Sequence, residues 1–143
     1  MNETDILKVL EETGALLSGH FELRSGLHSN RFFQCANVLR YPRIAGRLCD
    51  ELVKRMNAAM DIGAVDGVIS PALGGIVVGH EVARAMDVKC VFAEKQEGKL
   101  VMRRFTMKPG ERYVVAEDVI TRGGRVQETI DLVKAAGAEV AAV

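Results

Sequence analysis

Two adjacent carboxylates, Glu117 and Asp118, follow an apolar run and precede a turn rich in glycine and arginine, within the segment VVAEDVITRGGR at 114–125. Neighbouring carboxylates at the end of a strand repel each other, so a purely structural role would be wasteful. The pair could accept hydrogen bonds from two vicinal hydroxyl groups, or lie near a hydrated divalent cation. These residue types therefore favour a ligand that carries neighbouring hydroxyls.

Two glycine-rich turns, SPALGG at 70–75 and TRGGR at 121–125, each lie between a predicted strand and a predicted helix. The amino end of a helix presents unpaired N–H groups and a partial positive charge, so both turns are candidate anion sites. Neither is a Walker A motif, and Gly74, Gly75 and Gly79 have the wrong spacing for the dinucleotide fingerprint. Taken singly, either turn is more often structural than functional. A carboxylate pair directly before such a turn fits a ribose phosphate, in which hydroxyls lie next to a phosphate.

The elements that must position these residues alternate between helix and strand. The predicted helices cover 3–13, 41–60, 76–86 and 125–137, and the predicted strands cover 67–70, 89–95, 113–117 and 139–143. The polar, basic segment 99–112 contains a Pro-Gly pair and is predicted to be a flexible ribbon or loop. Strands separated by helices of this length predict a parallel sheet with right-handed crossovers, whose ligands bind beyond the carboxyl ends of the strands.

Length and composition limit the classes of function. The chain has 143 residues, with 19 lysines and arginines against 19 aspartates and glutamates. Its neutral charge does not favour a nucleic-acid partner, and no apolar run approaches the roughly 20 residues of a membrane span. The three cysteines are far apart, which argues against a disulfide framework or a zinc site. Because the N-terminus also lacks the pattern of a signal peptide, we expect a cytoplasmic protein.

Four segments together resemble one known family. Residues 114–125 resemble the phosphoribosyl pyrophosphate (PRPP) signature of type I phosphoribosyltransferases, with an apolar strand, two acids, two aliphatic residues, a threonine and a glycine turn. The segment GHFELRSGLHSNRFFQ at 19–34 is similar to the N-terminal segment of the orotate phosphoribosyltransferases. Residues 70–75 resemble that family's pyrophosphate loop, and residues 92–104 resemble its mobile, basic catalytic loop. The four segments also keep the family's order along the chain.

The resemblance implies an α/β fold, with a central parallel sheet flanked by helices and a small N-terminal hood at 1–40, all within one domain at 1–143. It implies transfer of phosphoribosyl from PRPP to orotate, which gives orotidine monophosphate and pyrophosphate in pyrimidine biosynthesis. The implied cofactor is Mg²⁺, bound mainly through PRPP with no direct protein ligand, although Asp118 lies near it. The implied assembly is a homodimer with no nucleic-acid or membrane partner.

The resemblance also implies roles for the matched residues. Lys95, Lys99 and Arg103 lie in the mobile loop and are expected to act in catalysis, while Glu117 and Asp118 hold the ribose hydroxyls. The residues expected to bind PRPP are Glu117, Asp118, Val119, Ile120, Thr121, Arg122, Gly123, Gly124, Arg125, Ala72, Leu73 and Gly74. The residues expected to bind orotate are Thr121, Arg24, Phe32 and Phe33.

The sequence departs from the family pattern in three places. Arg122 and Arg125 stand where the usual turn has small hydroxyl residues, and Gly74 stands where some members carry a lysine. The family's arginine that grips the orotate carboxylate comes after the strand at 139–143, where this sequence stops. The sequence also stops inside a predicted strand with no helix to cover it, so we expect either a neighbouring element or subunit to complete the sheet, or a truncated product. Two alternatives stay open: a phosphoribosyltransferase for another base, and a non-catalytic PRPP-binding protein.

Overall fold

Helices and strands alternate along residues 1–23 and 26–143, which are the residues that the computed structural model describes. The chain divides into two units, Met1–Leu48 and Cys49–Val143. The helices are α1 (Glu3–Glu12), α2 (Ala36–Leu39), α3 (Pro42–Ala59), α4 (Gly75–Met86) and α5 (Gly124–Ala135). The strands are β1 (Leu16–Glu22), β2 (His28–Phe33), β3 (Gly67–Pro71), β4 (Lys89–Gln96), β5 (Lys99–Val101), β6 (Arg112–Val115) and β7 (Glu139–Ala142). No helix among the described residues is both long and apolar enough to cross a membrane.

The N-terminal unit contains α1 and an antiparallel pair of strands, β1 and β2. Helix α1 begins at a capping box, in which the Asn2 side chain accepts a hydrogen bond from the Asp5 N–H and the Asp5 side chain accepts one from the Asn2 N–H. Strands β1 and β2 were not predicted from the sequence. The predicted hood at 1–40 and the single domain at 1–143 stay predictions.

The C-terminal unit is built on a five-stranded sheet with the order β5-β4-β3-β6-β7. Strands β4, β3, β6 and β7 run parallel, whereas β5 is antiparallel to β4. The predicted α/β class with a mainly parallel, helix-flanked sheet is confirmed. The segment 99–112 is not wholly a loop, because its first residues form β5 after the tight turn at Glu97 and Gly98, whose φ angles are 49° and 86°. Positive φ at both central residues is the geometry that closes a two-residue hairpin.

Alternation along the central strands divides the core between the two faces of the sheet. Val68 of β3 and Val114 of β6 pack on one face against residues of α3 and α4, including Cys49 and Val82. Ile69 and Val115, the next residues along the same strands, pack on the other face against residues of α5 such as Val126 and Val133. This two-sided burial explains why consecutive residues at the centre of β3 (68–69) and of β6 (114–115) are all apolar.

The register of β3 and β6 determines where the two glycine-rich turns emerge. Val68 is opposite Val114 and Ile69 is opposite Val115 in a parallel pair, so both strands end at the same edge of the sheet. The Ala116 N–H donates to the Ile69 carbonyl at 2.9 Å and extends the pairing by one residue. The segments 70–75 and 117–125 therefore lie side by side.

Candidate active site

The backbone at Gly74 and Gly75 lies directly against the two carboxylates. A Cβ atom placed on Gly74 would be 2.7 Å from Asp118 Oδ2, and one placed on Gly75 would be 3.0 Å from Glu117 Oε1. Only glycine allows this approach, because any side chain at Gly74 would displace the Asp118 carboxylate. One wall of the site is therefore the backbone at Gly74 and Gly75, and the other wall is the two carboxylates.

Glu117 is a buried carboxylate whose hydrogen-bonding capacity is only partly used. Its side chain is 4% exposed, and Oε1 accepts a hydrogen bond from the Asp118 N–H at 3.2 Å. Its Oε2 atom has no hydrogen-bond partner among the described residues. Burial, reinforced by the neighbouring Asp118 carboxyl, raises the pKa of Glu117 to about 7. A buried acceptor of this kind is ready to receive a hydrogen bond from a hydroxyl of a ligand.

The turn after the carboxylates forms the amino end of α5. Gly123 caps the helix with a φ of 76° and no side-chain hydrogen bond, so the first amides of α5 are not capped by a side chain. A cavity of about 50 Å³ lies at this end. Its lining residues are Glu117, Val119, Ile120, Thr121, Gly123, Gly124, Arg125 and Val126. A helix amino end beside a small cavity suits an anion such as a phosphate group.

The Arg125 guanidinium joins the two loops. Its Nη2 donates a hydrogen bond to the Ala72 carbonyl, and its Nε lies 3.6 Å from Glu117 Oε2. The peptide bond between Ala72 and Leu73 is cis. Arg122, three residues earlier, is exposed. The residues predicted to bind PRPP on the two turns thus come together in one place.

The basic residues predicted to act in catalysis lie on and after the β4–β5 hairpin. Lys95 and Lys99 are exposed near its turn, and Arg103 is exposed in the segment that follows β5. Their side chains make no ion pair with any described residue, whereas the neighbouring Arg104 pairs with Glu94 at 3.0 Å. The structure shows no contact of these three side chains with Glu117 or Asp118 in the residues it describes, and their catalytic role stays a prediction.

The residues predicted to bind orotate fall in both units. Thr121 is exposed on the turn before α5, in the C-terminal unit. Phe32 and Phe33 lie in β2 of the N-terminal unit, with 36% and 45% of their surfaces exposed, and the Phe32 ring stacks on Phe21 with 5.6 Å between centroids. Arg24 lies outside the described residues.

Sequence reasoning missed the part played by Gly75 and by Gly79 behind it. Gly75 leaves room for the Glu117 carboxylate, while a Cβ on Gly79 would lie 1.8 Å from the Oγ of Ser70. Ser70 is fully buried at the end of β3. The glycines of 74–79 were visible in the sequence, but their partners become visible only when the two strands are placed side by side.

The sequence also predicted that Glu117 and Asp118 could lie near a divalent cation. No group of three or more histidine, cysteine, aspartate or glutamate side chains that could hold a metal occurs among the described residues. Mg²⁺ prefers six oxygen ligands and retains several waters, so two carboxylates would leave most positions to water or to a bound ligand. A cation at this site would therefore arrive with an oxygen-rich ligand and take its ligands mainly from that molecule and from water.

Comparisons with known proteins agree on one family. The family model described as a phosphoribosyl transferase domain matches residues 37–143. An orotate phosphoribosyltransferase of Desulforamulus reducens is 49% identical over all of this chain and 73% of its own length. One of Chlorobaculum parvum is 50% identical over all of this chain and 72% of its own length. The solved structure of a UMP synthase of Leishmania donovani superposes with a TM-score of 0.79 at 20% identity, and the match covers 98% of this chain and 30% of that one.

Proposed function

This chain belongs to the phosphoribosyltransferase family, and we propose that it transfers the phosphoribosyl group of PRPP to orotate, giving orotidine monophosphate and pyrophosphate. The relatives named orotate phosphoribosyltransferase match it at about half identity from end to end, which supports orotate as the acceptor. The observation that carries the proposal is the buried Glu117 beside Asp118, with an unused carboxylate oxygen at the end of a strand and a helix amino end next to it.

The donor is held by three parts of the site. Glu117 and Asp118 accept hydrogen bonds from the two ribose hydroxyls, and the amides at 121–125 receive the 5′-phosphate at the amino end of α5. The backbone at 72–74 receives the pyrophosphate, where Gly74 has no side chain and its backbone lies against the Asp118 carboxylate. Each group of the donor thus has a partner of matching chemistry.

The reaction breaks the bond between the anomeric carbon and the pyrophosphate oxygen and forms a bond from that carbon to a ring nitrogen of orotate, which loses its N–H proton. The bonding electrons leave with pyrophosphate, so positive charge develops on the sugar and negative charge on the leaving group. Lys95, Lys99 and Arg103 are proposed to stabilise that negative charge, and a closed loop would exclude water that hydrolyses the donor. Mg²⁺, carried in by the donor, would add positive charge to the leaving group.

The acceptor would contact Thr121 and the hood residues Arg24, Phe32 and Phe33. Aromatic faces suit a flat pyrimidine ring, and the exposure of both phenylalanines in β2 supports this role. We further propose a homodimer located in the cytoplasm. The absence of a disulfide among the described residues supports a reducing compartment. The equal numbers of acidic and basic residues support the absence of a nucleic-acid partner.

The proposal is tested by orotate consumption, followed by ultraviolet absorbance in the presence of PRPP and Mg²⁺. Asp118→Asn should abolish turnover, because it removes a charged acceptor for the ribose. Asp131→Asn is the matched control, because Asp131 lies on the exposed side of α5 and accepts a hydrogen bond only from Gln127 at 2.9 Å among the described residues. Binding of PRPP without turnover of orotate would favour the non-catalytic alternative, and turnover of another base would replace orotate as the acceptor.

A further inference from the structure

The side chain of Arg125 reaches from the start of α5 to the neighbouring glycine-rich loop. Its guanidinium reaches the Ala72 carbonyl, which belongs to the other loop and lies 53 positions away in the sequence. The same group lies 3.6 Å from Glu117 Oε2. One planar cation therefore spans both walls of the site, a geometry that the fork of an arginine permits and a lysine does not.

Arg125 contacts two oxygen atoms, the Ala72 carbonyl oxygen and Glu117 Oε2. Glu117 is 4% exposed, and its Oε2 makes no hydrogen bond with a described residue. The charged groups that face Glu117 are the Asp118 carboxyl, which disfavours ionisation, and the Arg125 guanidinium, which favours it. Without Arg125, two adjacent carboxyls would share the end of β6 with no positive charge from a described residue in contact with them.

We propose that Arg125 is a positioning residue for the donor, holding the Ala72 carbonyl and the Glu117 carboxylate together across the two loops before the donor binds. The inference rests on the proposed function, because it takes Glu117 as the ribose acceptor and 72–74 as the pyrophosphate loop. Glu117 then receives the ribose hydroxyls as a charged, pre-oriented acceptor. The loss of Arg125 should weaken donor binding more than it slows the chemical step.

The kinetic test uses three variants across a range of pH. Arg125→Gln should raise the KM for PRPP about tenfold, as expected when a hydrogen bond donated by a charged group is lost, and should change kcat much less. It should also move the acid limb of donor binding upwards by about half a pH unit, because Glu117 loses the nearby positive charge that favours its ionised form. Arg125→Lys keeps the charge without the fork, so it should restore the pH midpoint but leave KM raised.

Arg122→Gln is the matched comparison. Arg122 lies on the same turn but contacts neither Ala72 nor Glu117 in the described part of the chain, so its loss should weaken phosphate binding without moving the pH midpoint. A similar shift of the midpoint in Arg122→Gln and Arg125→Gln would overturn the inference, because the effect would then be general electrostatics. An unchanged KM in Arg125→Gln would also overturn it.

A second measurement needs no substrate. The titration of Glu117 can be followed by ¹³C NMR of its carboxyl carbon, with the signal assigned by its loss in Glu117→Gln. The pH midpoint of this titration should rise in Arg125→Gln and not in Arg122→Gln. An unmoved Glu117 titration in folded Arg125→Gln would contradict the inference. If the wild-type chain showed no turnover while this shift was present, the proposed function would fail and the contact of Arg125 with Glu117 would still stand.

Discussion

Two glutamates at opposite ends of β6 have opposite electrostatic environments. Glu111 precedes the strand and Glu117 follows it, and both side chains are largely buried, with 16% and 4% exposed. Glu111 accepts hydrogen bonds from the Lys108 N–H, the Tyr113 hydroxyl and the Lys89 ammonium group, at 2.8, 2.8 and 2.6 Å. These contacts, the Lys108 amide first, lower the pKa of Glu111 to about 2, whereas burial raises that of Glu117 to about 7.

The difference separates stability from function along one strand. At the amino end of the sheet the Glu111 carboxylate has its partners within the protein, so it holds the local structure together. At the carboxyl end Glu117 Oε2 lies 3.6 Å from Arg125 Nε but has no hydrogen bond with a described residue, which costs stability unless a ligand supplies that hydrogen bond. Buried polar atoms without partners in a native structure are accordingly good markers of a binding site.

The comparison is tested most strongly by Glu117→Gln and Glu111→Gln. Glu117→Gln should lower kcat/KM for PRPP about a hundredfold or more, because it removes the charged acceptor that we propose for the ribose hydroxyls. Glu111→Gln should leave the activity per folded molecule unchanged and lower the stability, because the charge-assisted bonds to Lys89 and Lys108 weaken. Steady-state kinetics and urea unfolding of both variants measure the two effects. Equal losses of activity in both variants would show that the two ends of β6 do not divide the roles.

Two lysines on β4 offer the next test. Lys89, the first residue of the strand, pairs with Glu111 and lies 5.4 Å from the centre of the Tyr113 ring, whereas Lys95 near the other end has no ion-pair partner among the described residues. Lys95→Met should lower kcat about tenfold or more, because positive charge near the leaving pyrophosphate is lost. Lys89→Met should instead lower the free energy of unfolding by about 0.5–1 kcal/mol. A full kcat in Lys95→Met would remove that residue from the catalytic set.

Two glycines, Gly67 at the start of β3 and Gly74 in the loop after it, offer a third comparison. A Cβ on Gly74 would lie 2.7 Å from Asp118 Oδ2, and one on Gly67 would lie 2.8 Å from Tyr113 Cε1. Gly74→Ala should therefore reduce activity about tenfold by displacing the Asp118 carboxylate, a misplacement that catalysis does not tolerate. Gly67→Ala should lower the free energy of unfolding by about 1–3 kcal/mol through overpacking, with activity retained. Thermal melts and steady-state kinetics of the two variants measure stability and activity. A loss of stability without a loss of activity in Gly74→Ala would show that Gly74 serves the fold and not the site.

The sequence predicted the sheet well because its signals are local. Continuous apolar runs such as 67–70 and 113–116 are typical of strands buried on both faces, and glycine turns mark their ends. The hairpin of β1 and β2 was not predicted, since β2 (HSNRFF) is almost entirely exposed and lacks an apolar alternation. Strand β5 was missed for a related reason: it has three residues, and its turn at Glu97–Gly98 places a non-glycine residue at positive φ.

The sequence suggested which residues belong to the candidate site, but not how they contact one another. The family resemblance and the turn chemistry identified Glu117, Asp118 and Gly74, and the parallel sheet implied that the turns share one edge. That β3 lies beside β6 is a property of strand order, which local patterns do not encode. The reach of Arg125 to Ala72 depends on the conformation of a long side chain against a distant loop, and no spacing in the sequence specifies it.

The last expected effect is on the pH dependence of stability, and its sign differs between the two glutamates. The pKa of Glu117 is raised from 4.5 to about 7 in the folded chain, so its ionisation destabilises the fold as pH rises through that interval. Glu117→Gln should then match the wild type at about pH 4 and exceed it by about 1–2 kcal/mol at about pH 8.

The lowered pKa of Glu111 acts in the opposite direction, because its contribution is present above pH 4.5 and is lost as pH falls towards about 2. Glu111→Gln should therefore be less stable than the wild type at neutral pH and approach it in acid. Urea unfolding of the wild type and both variants across this range measures the two curves. If both variants run parallel to the wild type at every pH, the two carboxyls titrate alike and the contrast between the ends of β6 is wrong. If only the Glu117→Gln curve diverges from that of the wild type as pH rises, the difference in free energy of unfolding measures the cost of a buried carboxylate that lacks a hydrogen bond. Saturating the wild type with PRPP should offset this cost.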